Sequence, residues 1–306
     1  MRVLAFALVL MVMLPNHAVR AQTTIRYGYT AGGDSLPVFA AEEEGLFKKA
    51  GLKLELQRLS NTAVAAPALV AKSIDVAQMT TPVFLMAYEG GLELVIVCGL
   101  NVYGPELAVG AVALPNSNIK IAPDFLGKRV AVAGVLGTMH ILFVKWLRQH
   151  GVDPRRINFV EANFSVMPEM LKSKQVDVVL LGGPSFNRVI NEGTGQMVGN
   201  IYQEVAQGQV LNMVVTTRQW AETNKEPLAR FRAAIVEGAK PVERDDERAR
   251  TYLAKYLSLT PEVAKRIDIP RSSFPVTQEQ FEWWSDTLKD QNLIKGNIDL
   301  KRLMVE

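Results

Sequence analysis

The stretch Ile25–Gly51, IRYGYTAGGDSLPVFAAEEEGLFKKAG, decides how the rest of the chain is read. Its first five residues, Ile25 to Tyr29, read as a strand. A loop from Thr30 to Ser35 follows, then a helix from Leu36 to about Glu44, with Gly45 where a left-handed residue ends it. Strand, loop and helix in that order open an α/β unit.

The alternation continues outward from there. Strands are expected at Leu52–Leu56, Ile74–Gln78, Leu94–Gly99 and Leu107–Leu114. One helix is expected over Val64–Ala71, and another is opened by Thr81 and Pro82 and closed by Gly90 and Gly91. A polar stretch from Pro115 to Pro123 leads into a second unit with strands Arg129–Ala133, Ile157–Glu161 and Val176–Leu181. Its helices are Thr138–Gln149, which Gly151 terminates, and Met167–Ser173. Val210–Thr216 is a last apolar strand, and everything after it reads as helix. In that tail Thr277 and Gln280 stand in capping-box spacing, and Phe281, Trp284 and Leu288 form one apolar stripe that belongs in the core.

This order implies one lobe inserted into another. The expected fold class is α/β: two α/β lobes joined by two hinge strands into a clamshell, with a helical C-terminal tail. Lobe one takes residues 22–112 and 212–306, and lobe two takes 113–211. The chain is expected to leave lobe one near Val109–Leu114 and to return near Val210–Thr216.

The N-terminus carries Arg2, an apolar run from Val3 to Leu14, then Pro15, Asn16 and His17, the layout of a secretory signal peptide. Val19 and Ala21 are small enough for the −3 and −1 positions of a cleavage site, so residues 1–21 are expected to be removed. The run is too short to cross about 30 Å of hydrocarbon at 1.5 Å per residue. Cys98 is the single cysteine, so neither a lipid anchor near the cleavage site nor an internal disulfide is expected. It lies behind Val95-Ile-Val97 and reads as a small buried hydrophobe. Loss of Arg2 and Arg20, with no acid, takes the formal charge from +3 to about +1. A near-neutral body argues against nucleic acid or a membrane surface as partner.

Walker-type, Rossmann and nucleophile-elbow glycine patterns are missing. Cys98, His140 and His150 cannot assemble a metal cluster of familiar spacing, so no metal, no cofactor and no catalytic residue is expected. Glu42 to Glu44 read as a solvated helix face.

Ile25-Arg-Tyr-Gly-Tyr29 and Ala41-Glu-Glu-Glu-Gly-Leu-Phe-Lys-Lys-Ala-Gly51 resemble the opening of the sulfonate, nitrate and taurine group of periplasmic binding proteins. Lys72-Ser-Ile-Asp75 resembles that group's G-x-I-D step, Leu126-Gly-Lys-Arg-Val-Ala131 its entry to lobe two, Gly137-Thr-Met-His140 its G-S/T-x-H helix start, and Lys174-Gln-Val-Asp-Val178 its G-x-V-D-A strand. The resemblance runs from Ile25 to about Arg188 and is weaker in the tail. It implies a type II periplasmic binding fold that holds a small solute between its lobes and delivers it to an ABC permease in the inner membrane. The signal segment without a cysteine near Ala21 implies free diffusion in an enclosed compartment, a periplasm, and nothing in the sequence suggests a symmetric interface, so a periplasmic monomer is expected. A ligand sensor or adaptor on the same fold is the alternative, followed by a pyrimidine-precursor enzyme, whose cysteine-rich metal motif is absent here.

In this group the ligand is held by loops at strand ends and by helix N-termini, whose unpaired N–H groups suit sulfonate, nitrate, carboxylate or carbonyl oxygens. The candidate ligand-binding residues are Thr80 and Thr81 in lobe one, Gly137, Thr138, Met139, His140, Gly183 and Ser185 in lobe two, and Asp34 and Ser35 in the first loop. A helix terminus contributes about 0.3–1 kcal/mol, whereas micromolar binding needs roughly 8 kcal/mol. Direct hydrogen bonds and apolar burial on closure must supply the remainder. Gly182-Gly-Pro-Ser-Phe186 lacks the acid that family members commonly place before the proline, which weighs against a ligand amine. No arginine lies in the helix starts, so a strong anion would need Arg188 or a more distant cation.

Overall fold

The computed structural model describes residues 22–105, 107 and 109–305, so the signal segment expected at residues 1–21 lies outside the described residues. β1 (Thr23–Tyr29) leads through a 3-10 turn at Gly33–Ser35 into α1 (Leu36–Glu43); Gly45, at φ 66°, separates α1 from α2 (Leu46–Lys49). β2 (Leu52–Arg58), α3 (Ala65–Val70), β3 (Val76–Thr80), α4 (Thr81–Glu89) and β4 (Leu94–Val102) follow. The chain then builds β5 (Val109–Ala113), β6 (Arg129–Val132), α5 (Thr138–Gln149), β7 (Asn158–Glu161), α6 (Met167–Lys172), β8 (Val178–Gly182), α7 (Gly183–Asn191), β9 (Gln196–Gly199) and α8 (Ile201–Val205). It closes with β10 (Val210–Thr217), α9 (Arg218–Thr223), α10 (Lys225–Val242), α11 (Asp246–Leu257), α12 (Pro261–Lys265), α13 (Gln278–Asp290) and α14 (Leu300–Leu303).

Two five-stranded sheets result, in the orders β2-β1-β3-β10-β4 and β7-β6-β8-β5-β9. In each, three parallel strands carry α/β crossovers, and a strand running the other way is added beside them: β10 against β3, and β5 against β8. The two lobes also share a local device. Asp75 grips Arg26 with both carboxylate oxygens (2.6 and 2.9 Å) and accepts from its backbone N–H, and Asp177 does the same to Arg129 (3.0 and 3.1 Å). The aspartates of the Ser-Ile-Asp and Gln-Val-Asp steps therefore fasten the first strand of each lobe to the start of the third.

Two lysines stand where those same steps require a left-handed residue. Lys72 (φ 57°) and Lys174 (φ 59°) follow α3 and α6, and the next N–H reaches back in a Schellman pattern, Ser73 to the Ala68 carbonyl and Gln175 to that of Met170. Glycine adopts this conformation without Cβ strain; lysine does not.

The core threads both lobes. One apolar cluster runs from Met79 and Phe84 through Tyr103, Tyr202 and Trp284 at the crossing to Ile141, Phe143 and Leu180. A second covers the outer face of the first sheet under α1, α10 and α11, and a third the outer face of the second sheet under α6 and α7. At the α1–α10 contact, a Cβ on Gly238 would stand 2.5 Å from the Pro37 carbonyl oxygen, so only glycine allows the approach. The capping box at Thr277 and Gln280 is present, and Phe281, Trp284 and Leu288 are fully buried.

Several expectations are corrected. β5 pairs within the second sheet, so the exit crossing lies between Val102 and Val109 rather than inside the strand read at 107–114, and the return lies between Gly199 and Val210. β9 and α8 were not visible as separate elements. The tail is not all helix: between α12 and α13 an extended strap crosses β4, with Ser273 donating to the Leu100 carbonyl and Gly99 to that of Phe274. The glutamates of α1 are also more than a solvated face, since Glu43 accepts from Lys255 and Tyr256, and Glu44 from Arg248 and Tyr252, tying α1 to α11.

Relief of the left-handed strain is measurable. Lys72→Gly and Lys174→Gly should each stabilise the fold by roughly 0.5–1 kcal/mol, read as a rise in the urea midpoint. An unchanged or lower midpoint would show that these lysines are not strained.

Candidate functional site

The topology brings the carboxyl ends of both sets of parallel strands to the same place. The chain leaves the first sheet at Val102, on the edge where Thr80 pairs with Asn212 and Asn212 with Asn101, and enters the second at Val109, which pairs with Gly182. It returns to Val210, which pairs with Val102. Tyr103 and the return segment are bonded directly: Tyr103 donates to the Gln209 carbonyl (2.8 Å) and accepts from the Gly208 N–H (2.7 Å). Trp284 on α13 donates from Nε1 to the Val210 carbonyl at 2.8 Å, so the tail helix braces the crossing. The loops after β1, β2 and β3, and those after β6, β7 and β8, therefore lie on the sheet edges next to the crossing.

Four helices begin on these two edges, with N-caps Ser35 (α1), Thr80 (α4), Gly137 (α5) and Gly182 (α7), and none receives a side-chain cap. Side-chain caps are present at Thr217, Asp245, Thr260, Thr277 and Asp299, while α2, α3, α6, α8 and α10 also start without one. The first-turn N–H groups on the two edges are left without a side-chain acceptor. Val64, Val135, Leu136 and Phe164, on the loops that follow β2, β6 and β7, are exposed large apolar side chains.

The floor on the first edge is a closed ring of side chains. Gln78 donates from Nε2 to Asp34 Oδ2 (3.3 Å) and Asn212 Oδ1 (3.1 Å); Asn212 donates to Asn101 Oδ1 (3.4 Å); Asn101 donates to Asp34 Oδ1 (3.1 Å). Gln78 Oε1 also accepts from the Thr30 N–H, the Thr30 hydroxyl and the Ser35 hydroxyl, at 3.1–3.2 Å. Gln78, Asn101 and Asn212 are buried amides inside apolar strands, and none was among the candidate residues. Their signal in the sequence is the polar interruption of VAQMT, LVIVCGLNV and VLNMVVTT.

The candidates fall into distinct places. Asp34 stays partly exposed, and burial pushes its carboxyl above the usual range, opposed by the Asn101 and Gln78 amides. Ser35 is fully buried, its hydroxyl held between Tyr27 (2.9 Å) and Gln78. Thr80 is partly exposed, 3.4 Å from the Thr62 hydroxyl. Thr81 is fully buried, and its hydroxyl donates to the Val210 carbonyl at 2.9 Å. That side chain ties α4 to β10 and is turned away from the loops, contrary to expectation. Gly137, Thr138 and Met139 form the partly exposed start of α5. Gly183, at φ 56°, lets the chain turn into α7, where Ser185 and Arg188 border a cavity of about 370 Å3 against Glu262, Val263 and Arg266.

His140 is buried edge-on against Phe159, and its Nδ1 accepts from the Leu136 N–H at 3.3 Å. It thereby holds the loop before α5, where Leu136 adopts φ 67°. Val135 in that loop donates to Glu161 at 2.6 Å. Burial lowers the His140 pKa from 6.5 to about 4, so the ring is neutral.

A family model described as the NMT1-like family matches residues 19–258. This chain belongs to the NMT1-like family. A Haemophilus influenzae protein named for thiamine biosynthesis is 28% identical over 179 residues, 58% of this chain and 55% of that protein. The nitrate import ATP-binding protein NrtC of Synechococcus elongatus is 23% identical over 262 residues, covering 78% of this chain and 38% of that one. This NMT1-like chain thus spans about half or less of those two relatives. Among solved structures, the periplasmic aliphatic sulphonate-binding protein SsuA of Escherichia coli superposes with a TM-score of 0.76 at 20% identity, covering 92% of this chain and 97% of that one. The periplasmic nitrate-binding protein NrtA of Synechocystis PCC 6803 gives 0.72 at 18%, covering 92% and 84%. The fold is that of periplasmic binding proteins.

The depressed pKa of His140 sets a pH signature. Its contribution to stability is complete above the unfolded value of 6.5 and is lost as pH falls toward about 4. The loss is on the order of 3 kcal/mol at most. Chemical denaturation across this window should show a steeper loss for the native protein than for His140→Gln; equal slopes would show that His140 is not held neutral.

Proposed function

We propose that this chain is the substrate-binding component of an ABC importer, working in the periplasm after removal of its signal segment and passing a small oxygen-rich solute to an inner-membrane permease. The observation that carries the reading is the set of four helix starts without side-chain caps, two on each facing sheet edge. They offer oriented N–H donors with no internal acceptor from their caps. The exposed apolar side chains beside them supply area to bury when the lobes close. The solved neighbours are themselves binding proteins for sulphonate and nitrate, which supports the same kind of role here. The lobe crossings, paired backbone to backbone at Tyr103 and braced by α13, form a compact pivot for closure.

In this reading, solute oxygens accept from the N–H groups of the α5 and α7 starts in lobe two and of the α4 start in lobe one. Thr80 and Thr138 add hydroxyls at the rim. Thr81 contributes at most its backbone, and His140 orients the loop without touching the solute. The protein binds without transforming its ligand. Cys98, the residue with the most reactive side-chain chemistry, is buried with its thiol pushed up to about 12.

Mass spectrometry of solute released from the purified protein should return a molecule chemically unchanged after prolonged incubation; conversion would mark an enzyme. The donor geometry can be tested at one position. Thr138→Ala removes the hydroxyl and should weaken binding a few-fold. Thr138→Pro also removes the first-turn N–H, at a position where Gly137 is already extended (ψ 164°) and proline fits. It should weaken binding by roughly tenfold or more, measured by calorimetry. Equal affinity of both variants with the native protein would remove the α5 start from the site.

A further inference from the structure

Resting on that reading, we infer that Asp34 is a specificity-determining acceptor: the solute carries an N–H or O–H donor that this carboxylate receives, in addition to the oxygens facing the helix starts. The amide ring carries the argument. Within the ring Gln78 donates twice, Asn212 and Asn101 each accept and donate, but Asp34 only accepts, and the chain of donors from Gln78 and Asn212 through Asn101 ends on it. Each of its oxygens takes one side-chain amide N–H at 3.1–3.3 Å and its own backbone N–H adds a third hold, which leaves an acceptor site on the carboxylate.

The surroundings keep that site open. Asp34 is partly exposed, in the loop at the carboxyl end of β1, while its neighbours Ser35, Gln78, Asn101 and Asn212 are buried. A Cβ on Gly32 would stand 2.6 Å from Asp34 Oδ2, so a side chain there would press on the carboxylate. The position is next to the pivot: the Asp34 charge reaches the ring hydroxyls of Tyr103 and Tyr202, whose planes meet edge-on at 4.4 Å. Neutral amides, not a cation, hold both oxygens, so the acid is aligned without being neutralised.

The missing acid before Pro184 had weighed against a donor-bearing ligand. Asp34 offers one from the opposite lobe. A bare oxyanion would place like charge against Asp34, whereas a molecule with an acceptor end and a donor end satisfies both walls. A hydrogen bond to a charged, partly desolvated acceptor discriminates by roughly tenfold or more.

Two matched series test this by calorimetry on the mature full-length protein: propane-1-sulfonate, isethionate and taurine, which differ only in a methyl, hydroxyl or ammonium end, and 4-methylpyrimidine against 4-aminopyrimidine. In whichever series binds, the donor-bearing member should be at least about tenfold tighter, and Asp34→Asn should shrink that ratio. Equal or tighter binding of the methyl member overturns the role of Asp34 and leaves the binding-protein reading intact. No binding by any member of either series overturns that reading, and the inference with it. Should Asp34→Asn fail to fold, the native protein's preference within each pair decides alone.

Discussion

The ring of side chains around Gln78 is the constraint on which the rest of this molecule depends. A primary amide buried in a sheet must be satisfied, because an orphaned polar group in the interior costs about 1–3 kcal/mol. Gln78 is satisfied by five contacts that gather the loop after β1 and the strand returning from the other lobe. Asn212 lies on that return strand and Asn101 on the strand from which the chain departs. Loop, exit and return are thereby locked to one another. A loop that would otherwise be free becomes a fixed wall, and its wall is joined to the segments that must flex if the lobes close.

Polarity is arranged around that wall. Helix starts present N–H groups from both sheet edges, while Asp34 presents an acceptor from one. The buried His140 is kept neutral, which holds the loop before α5 without adding a positive charge beside the α5 donors. The lobes use the same structural device, an aspartate gripping the first-strand arginine, at the ends away from the cleft. In the proposed reading, stability and recognition are separated along the strands: ion pairs near where the third parallel strand begins, donors and acceptors where the strands end.

Much of this was legible in the residues. Strand and helix alternation placed nearly every element, because apolar periodicity and glycine caps are local signals. The capping box at Thr277 and the core stripe behind it could be read for the same reason. What depended on pairing could not be read. The apolar run at 109–113 fits either sheet, so the crossing was placed inside a strand instead of before it. Thr81 stands at a helix start, as expected, but its hydroxyl faces a carbonyl of β10, a partner 129 positions away that no local pattern reveals. Glu43 and Glu44 looked solvated because α11, which they clasp, lies more than 200 positions on. The amides at positions 78, 101 and 212 were visible as polar breaks in apolar strands, yet only their convergence gives them meaning.

The proposed closure of the two lobes over a solute can be measured directly by double electron–electron resonance between spin labels at Ser60→Cys and Ser165→Cys, exposed positions on the loops after β2 and β7. Cys98 is buried with its thiol pushed up to about 12, so labelling is confined to the introduced sites. Saturating solute should shorten the inter-label distance and narrow its distribution. A distribution that stays unchanged while calorimetry shows full occupancy would contradict the account.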